Sequence, residues 1–207
     1  MSEDLTAKAK LRDAAIELVA KGEPFTARSV AEKAGVTPGL IRHHYGSMAG
    51  LEKACDDHIA EIIRASKERA TANVGSVDVL AAIRESGEAH VMAYLARRLT
   101  QGSSRIDSLV DLLADDATGY IQRAIDAGIM TPLSDVPTAA RMLTIYSLGA
   151  LALHEHLDRL LDVDITQIDL AGQPGITKYV TVQFELFKSL MPADVVERLQ
   201  SQIPNEE

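Results

Sequence analysis

The chain has 207 residues, of which 46% are hydrophobic and 25% charged, with 13 glycines and 7 prolines; that is the balance of a folded globular protein and excludes a disordered or low-complexity one. Its formal net charge of -9 is unevenly spread: residues 1–50 hold seven Lys/Arg against six acids, +1, and residues 51–207 hold 14 against 24, -10. Attraction to phosphate depends on the local surface, so the first part stays open to nucleic acid while an acidic body turns its other faces away from it.

Along the chain, a leading helix carries Leu11, Ala14, Ala15, Leu18 and Val19 on one face, Gly22 breaks it, and an aromatic, Phe25, follows. Thr26 is placed to cap a short helix running to about Ala34, with Val30, Ala31 and Ala34 as its apolar stripe. Gly35 ends that helix where the chain needs φ > 0, and Val36 plugs the angle to the next element. Thr37-Pro38 predicts the start of a second helix, a hydroxyl cap followed by proline at the first helical position. Within it Ile41 and Tyr45 are four apart and face inward, leaving Pro38, Gly39, Arg42, His43 and, at the edge, His44 for a ligand. Two short helices around a glycine turn with a polar, partly basic face are a helix-turn-helix. Gly39 lets a backbone approach closely, Arg42 suits a phosphate or the O6/N7 edge of guanine, and the histidines can donate to phosphate or base acceptors. Gly46-Ser47 closes this helix and caps the next.

These residues resemble the DNA-binding region of the TetR family of transcriptional regulators over residues 11–51, with the run T-x-R-x-[VI]-A-x-x-A-G-V-[TS]-x-G-x-[IL] and Tyr45 in place. The resemblance implies that Arg28 reaches a base edge or phosphate, that Thr37, Pro38, Gly39 and Leu40 lie at the groove, and that Arg42, His43 and His44 follow, with Ser47 at the start of the next helix. Arg42 stands where the family usually has tyrosine and Met48 where it has a phosphate-binding lysine, so operator sequence is not inherited from a relative. The resemblance also implies an all-α fold: an N-terminal three-helix DNA-binding domain over 1–47 and a larger helical effector-binding and dimerisation domain over 48–207.

The rest reads as helix after helix. A long connecting helix is expected over 47–71, with Leu51, Ala54, Cys55, His58, Ile62 and Ala65 along one side. The single Cys55 excludes an internal disulfide or a cysteine-based metal site within one chain, and is read as a small core residue rather than a redox thiol. Shorter helices are expected over 77–85 and 88–98, with Arg97-Arg98 as a surface pair, then a turn at 101–105 and a helix to about 127 stopped by Gly128. The stretches 142–153 and 179–191 are apolar nearly all round and need cover on several sides; they are read as a homodimer face, the alternative being a monomer core.

His90, Tyr94, Tyr120, Met142 and Tyr146 are the candidate effector-binding residues, suited to an apolar or amphipathic small molecule. The triplet His154-Glu155-His156 lacks the i, i+4 spacing of a metal motif, although His154 with Asp158 has it. With no nucleophile elbow, phosphate loop or dinucleotide fingerprint, an enzyme is disfavoured and no cofactor or metal is expected. No segment has the length of a membrane span and the start lacks a signal-peptide pattern, so a cytoplasmic location without a membrane partner is expected. The resemblance implies a homodimeric repressor released from a palindromic double-stranded DNA operator by a small molecule. The alternative is a helical dimeric interaction or ligand-carrier protein without operator binding.

Overall fold

The computed structural model describes residues 2–72, 90–101, 106–167, 169–170 and 172–200. Among them are ten α-helices and one 3-10 turn, and no strand. The helices are α1 (Ser2–Ala20), α2 (Ala27–Ala34), α3 (Gly39–Tyr45), α4 (Met48–Ala72), α5 (Val91–Thr100), α6 (Ile106–Asp126), α7 (Val136–Ala152), α8 (His154–Leu161), α9 (Ile176–Phe187) and α10 (Ala193–Gln200). The 3-10 turn, Lys188–Leu190, joins α9 to α10. The all-α expectation holds. The helix expected over 77–85 and most of the turn expected at 101–105 lie outside the described residues.

Local chemistry accounts for several boundaries. Thr26 caps α2 through a capping box: its hydroxyl accepts from the Ser29 N–H at 3.1 Å while the Ser29 hydroxyl accepts from the Thr26 N–H at 3.0 Å. Gly35 stands at φ 68, the left-handed conformation in which a side chain would be strained. Asp135 caps α7 through the Thr138 N–H, and proline at its first turn needs no intrahelical donor.

One expected boundary moves. The second motif helix begins at Gly39, with Pro38 rather than Thr37 at its N-cap. It opens on backbone bonds from the Leu40 N–H to the Thr37 carbonyl and from the Ile41 N–H to the Pro38 carbonyl instead of a side-chain cap. Such i, i+3 bonds tighten a first turn and leave a hydroxyl cap nothing to add.

One apolar cluster runs through Leu11, Ala15 and Ile16 of α1, Val30 of α2, Ile41 of α3, Leu51, Cys55 and Ile59 of α4, Val91 and Tyr94 of α5, Leu113 of α6 and Leu151 of α7. Helix α1 is buried on more of its circumference than its sequence stripe predicts, because α5 packs along it as well as α2, α3 and α4; Ile16 is the added residue. On α4 the buried stripe is Leu51, Cys55, Ile59, Ile62, Ile63 and Ser66, and Ala65 is exposed, a departure of one position from the expected face. A smaller cluster, Ala117, Ile121 and Ala140, lies between α6 and α7, which run antiparallel as a hairpin.

Helices α7 and α9 leave large apolar side chains in the open, with Ile145 62% exposed and Leu186 70% exposed, and Met142, Tyr146, Val180 and Val182 beside them. Among the described residues, no single helix is long and apolar enough to cross a membrane.

Candidate nucleic-acid interface

The three N-terminal helices present α3 on a scaffold fixed from beneath. Ile41 is buried in the core, and the Tyr45 hydroxyl donates to the Lys8 carbonyl at 2.6 Å, fastening the end of α3 to α1 across 37 residues of sequence. Burial pushes the Tyr45 phenol up to about 12, so this donor keeps its proton at any physiological pH. The two inward positions expected four apart thus hold the helix.

What they leave outside is polar. Thr37, Pro38, Gly39, Arg42, His43 and Ser47 are exposed, Leu40 and His44 half-buried, and Arg28 is exposed on α2. Nothing within 4 Å would meet a side chain added at Gly39, so its open backbone leaves room for close approach of a partner. The imidazoles of His43 and His44 meet edge to face, with centroids 4.9 Å apart. Ser47 already has a structural task, since its hydroxyl accepts from the Gly50 N–H at 3.0 Å and caps α4. Met48, where the resemblance implies a lost lysine, packs half-buried against the main core.

One further cation borders this face. The Lys8 ammonium sits 5.7 Å over the Tyr45 ring, a cation–π contact that places a positive charge at the end of α3. Sequence reading does not single Lys8 out, because the residue that positions it lies in another helix. Lys21 and Lys33, by contrast, both converge on Glu17, at 2.6 and 2.8 Å. Their hydrogen bonds hold the Glu17 carboxyl down at about 2, so this trio is largely self-neutralised.

The five candidate effector residues fall in different surroundings. Tyr94 is 1% exposed and donates to Asp56 at 2.7 Å. His90 is half-buried at the start of α5, and Tyr120 packs against the smaller α6–α7 cluster. Met142 and Tyr146 lie on the open face of α7, beside Ile145.

Arg98 corrects the expectation of a surface arginine pair. Arg97 is exposed, but Arg98 is 2% exposed and forms a fork with Asp56, Nε to Oδ1 at 3.0 Å and Nη2 to Oδ2 at 2.8 Å, with Nη1 on Glu52 at 2.7 Å. Burial alone would lower the basicity of that guanidinium; the bonds and charge of Asp56 more than offset it. The Nδ1 of His154 lies 3.5 Å from Asp164 Oδ1, in the loop after α8.

A three-helix unit that offers the exposed face of a short helix behind a glycine turn is the architecture of a helix-turn-helix DNA-binding protein. Comparison with known proteins agrees. Residues 87–191 match the family model for the tetracyclin repressor-like C-terminal domain. Over 155 residues, 74% of this chain and 73% of the relative, the sequence is 39% identical to the HTH-type transcriptional regulatory protein RaaS of Mycobacterium tuberculosis. Among solved structures, a γ-butyrolactone receptor (ArpA-like protein) shares the fold with a TM-score of 0.55, at 16% identity, over 96% of this chain and 97% of that one. The chain belongs to the TetR family of transcriptional regulators.

Proposed function

We propose that the protein is a cytoplasmic homodimeric repressor that reads a palindromic operator and releases it when a small apolar or amphipathic molecule binds its body. The observation that carries this reading is the exposed polar face of α3, held at fixed depth by Ile41 and Tyr45. Gly39 admits a close backbone approach, and Arg42, His43 and His44 face the groove, with Thr37, Pro38 and Leu40 at its lip. Arg28 from α2, Ser47 and Lys8 complete the contact with phosphates or base edges.

The chain divides in function into a DNA-reading unit over 1–47 and an effector-binding and dimerising unit over 48–207. The exposed apolar faces of α7 and α9 are the dimer surface, since large apolar side chains left in the open mark an interaction site. A two-fold dimer supplies two α3 helices to half-sites about 34 Å apart on one face of DNA. Effector and operator then oppose each other through one coupling free energy.

The test is a fluorescence-anisotropy titration of the full chain against the DNA flanking its own gene, at several salt concentrations, for wild type and Arg42→Ala. The expected result is sequence-selective, salt-dependent binding that Arg42→Ala weakens about five- to hundredfold. Binding that is absent, or indifferent to sequence and to the substitution, would point instead to a dimeric interaction or ligand-carrier protein without an operator.

A further inference from the structure

The inner face of α7 carries one polar group that packing alone does not explain. Thr144 is 7% exposed, and its hydroxyl has no hydrogen-bond partner among the described residues. A buried hydroxyl left unmade costs desolvation that a methyl group of the same size would not, so valine would serve a purely structural role better. The position is a seam. One turn back along α7 is Ala140, which packs with Ala117 and Ile121 of α6 in the smaller cluster; further along α7, Leu151 belongs with Leu113 in the main core. Along α7, Thr144 therefore stands between residues of two apolar clusters, with Ala140 one turn back on its own helix.

We propose that Thr144 is the polar anchor of the effector site, between α6 and α7, for a small apolar molecule bearing a carbonyl or similar acceptor oxygen. This rests on the ligand-responsive reading above and gives it a location and a ligand chemistry. The hydroxyl hydrogen would donate to the acceptor and the apolar remainder would lie toward the Ala117–Ile121–Ala140 cluster, against which Tyr120 also packs. Met142 and Tyr146 belong to the opposite, dimer-facing side of α7.

An ion pair next to this position joins α6 to α4. Asp116, next to Ala117 on α6, takes the Arg64 Nε of α4 at 2.9 Å. A molecule that enters beside Ala117 shifts α6, and the Arg64–Asp116 pair carries the shift into α4, which begins three residues after α3 ends.

The experiment compares full-length wild type, Thr144→Val and Thr144→Ser in thermal unfolding and in titration with the fluorescent apolar ketone prodan. Thr144→Val is expected to melt a few degrees higher than wild type, because an idle hydroxyl is gone. It is expected to bind prodan roughly three- to tenfold more weakly, the worth of one buried hydrogen bond, while Thr144→Ser retains affinity. Lower melting of Thr144→Val, equal prodan binding by wild type and Thr144→Val, or no binding by wild type overturns the proposal. Operator titrations on the same proteins keep the two readings apart: loss of operator binding by wild type counts against the repressor and leaves the prodan comparison standing.

Discussion

Glu17 shows how one side chain can subtract charge from a DNA-facing unit. By accepting from both Lys21 and Lys33 it removes two of the seven cations of the first 50 residues from the phosphate-facing account and leaves Arg28, Arg42 and Lys8 around α3. The pairing also makes stability pH-dependent. Glu17 is held at about 2 against an ordinary 4.5, so its contribution is fully present above pH 4.5 and is lost as pH falls toward 2. Partly exposed pairs are screened, so the contribution is about 0.5–1 kcal/mol. Wild type should be more stable than Glu17→Gln by that amount in urea unfolding at pH 6, and the gap should narrow below pH 4.5 and close only below pH 2. A gap that stayed constant with pH would refute the assignment. At this scale the sequence was readable where a signal was local: Thr26, Gly35 and Ser47 all stand as expected, since a cap or a left-handed residue depends on neighbours three or four positions away. Lys8 and the Lys33 bond of Glu17 were not readable, because their partners come from other helices.

Helix α5 illustrates the same limit one level up. Its existence followed from periodicity, but nothing in Arg97-Arg98 distinguishes an exposed guanidinium from a buried one. The difference lies in Asp56 and Glu52, 42 and 46 residues earlier on α4. The buried fork joins α4 to α5, and Tyr94 adds its hydroxyl to the same Asp56 carboxylate. Removing one member of a buried pair leaves the other charged and without compensation. Arg98→Ala should therefore cost about 3–5 kcal/mol in urea unfolding, whereas Arg98→Met with Asp56→Leu should recover most of that loss. If the single and double variants lose the same stability, the fork is not what joins the helices. The apolar helices α7 and α9 were legible as faces in need of cover; the orphan hydroxyl of Thr144 was not, because a threonine in an apolar helix usually bonds back to its own turn.

For the molecule as a whole, the main core does not stop where the DNA-reading unit is expected to end. Leu11, Val30 and Ile41 belong to the same cluster as Tyr94, Leu113 and Leu151. Heat or urea should accordingly unfold the chain in one transition, with helical ellipticity and tyrosine fluorescence changing together; Tyr45 reports from α3 and Tyr94 from α5. Two separated transitions would mean that the halves are energetically independent. Fold class and motif were visible in sequence because helical periodicity survives without tertiary information. The shared core was not, since it depends on which faces α1 turns to α5.

The packing of α5 along α1 bears on how relatives of this protein can exchange parts. A chimera spliced at residue 47 would transplant α1 with Ile16 and its companions shaped to one α5 and set them against another. Arg97, whose guanidinium lies 3.0 Å from where a side chain at Gly22 would begin, would meet an unfamiliar turn. Operator specificity is thus not a detachable cassette in this chain: a graft that keeps its regulation has to carry residues 91–100 with the head, or rebuild that seam.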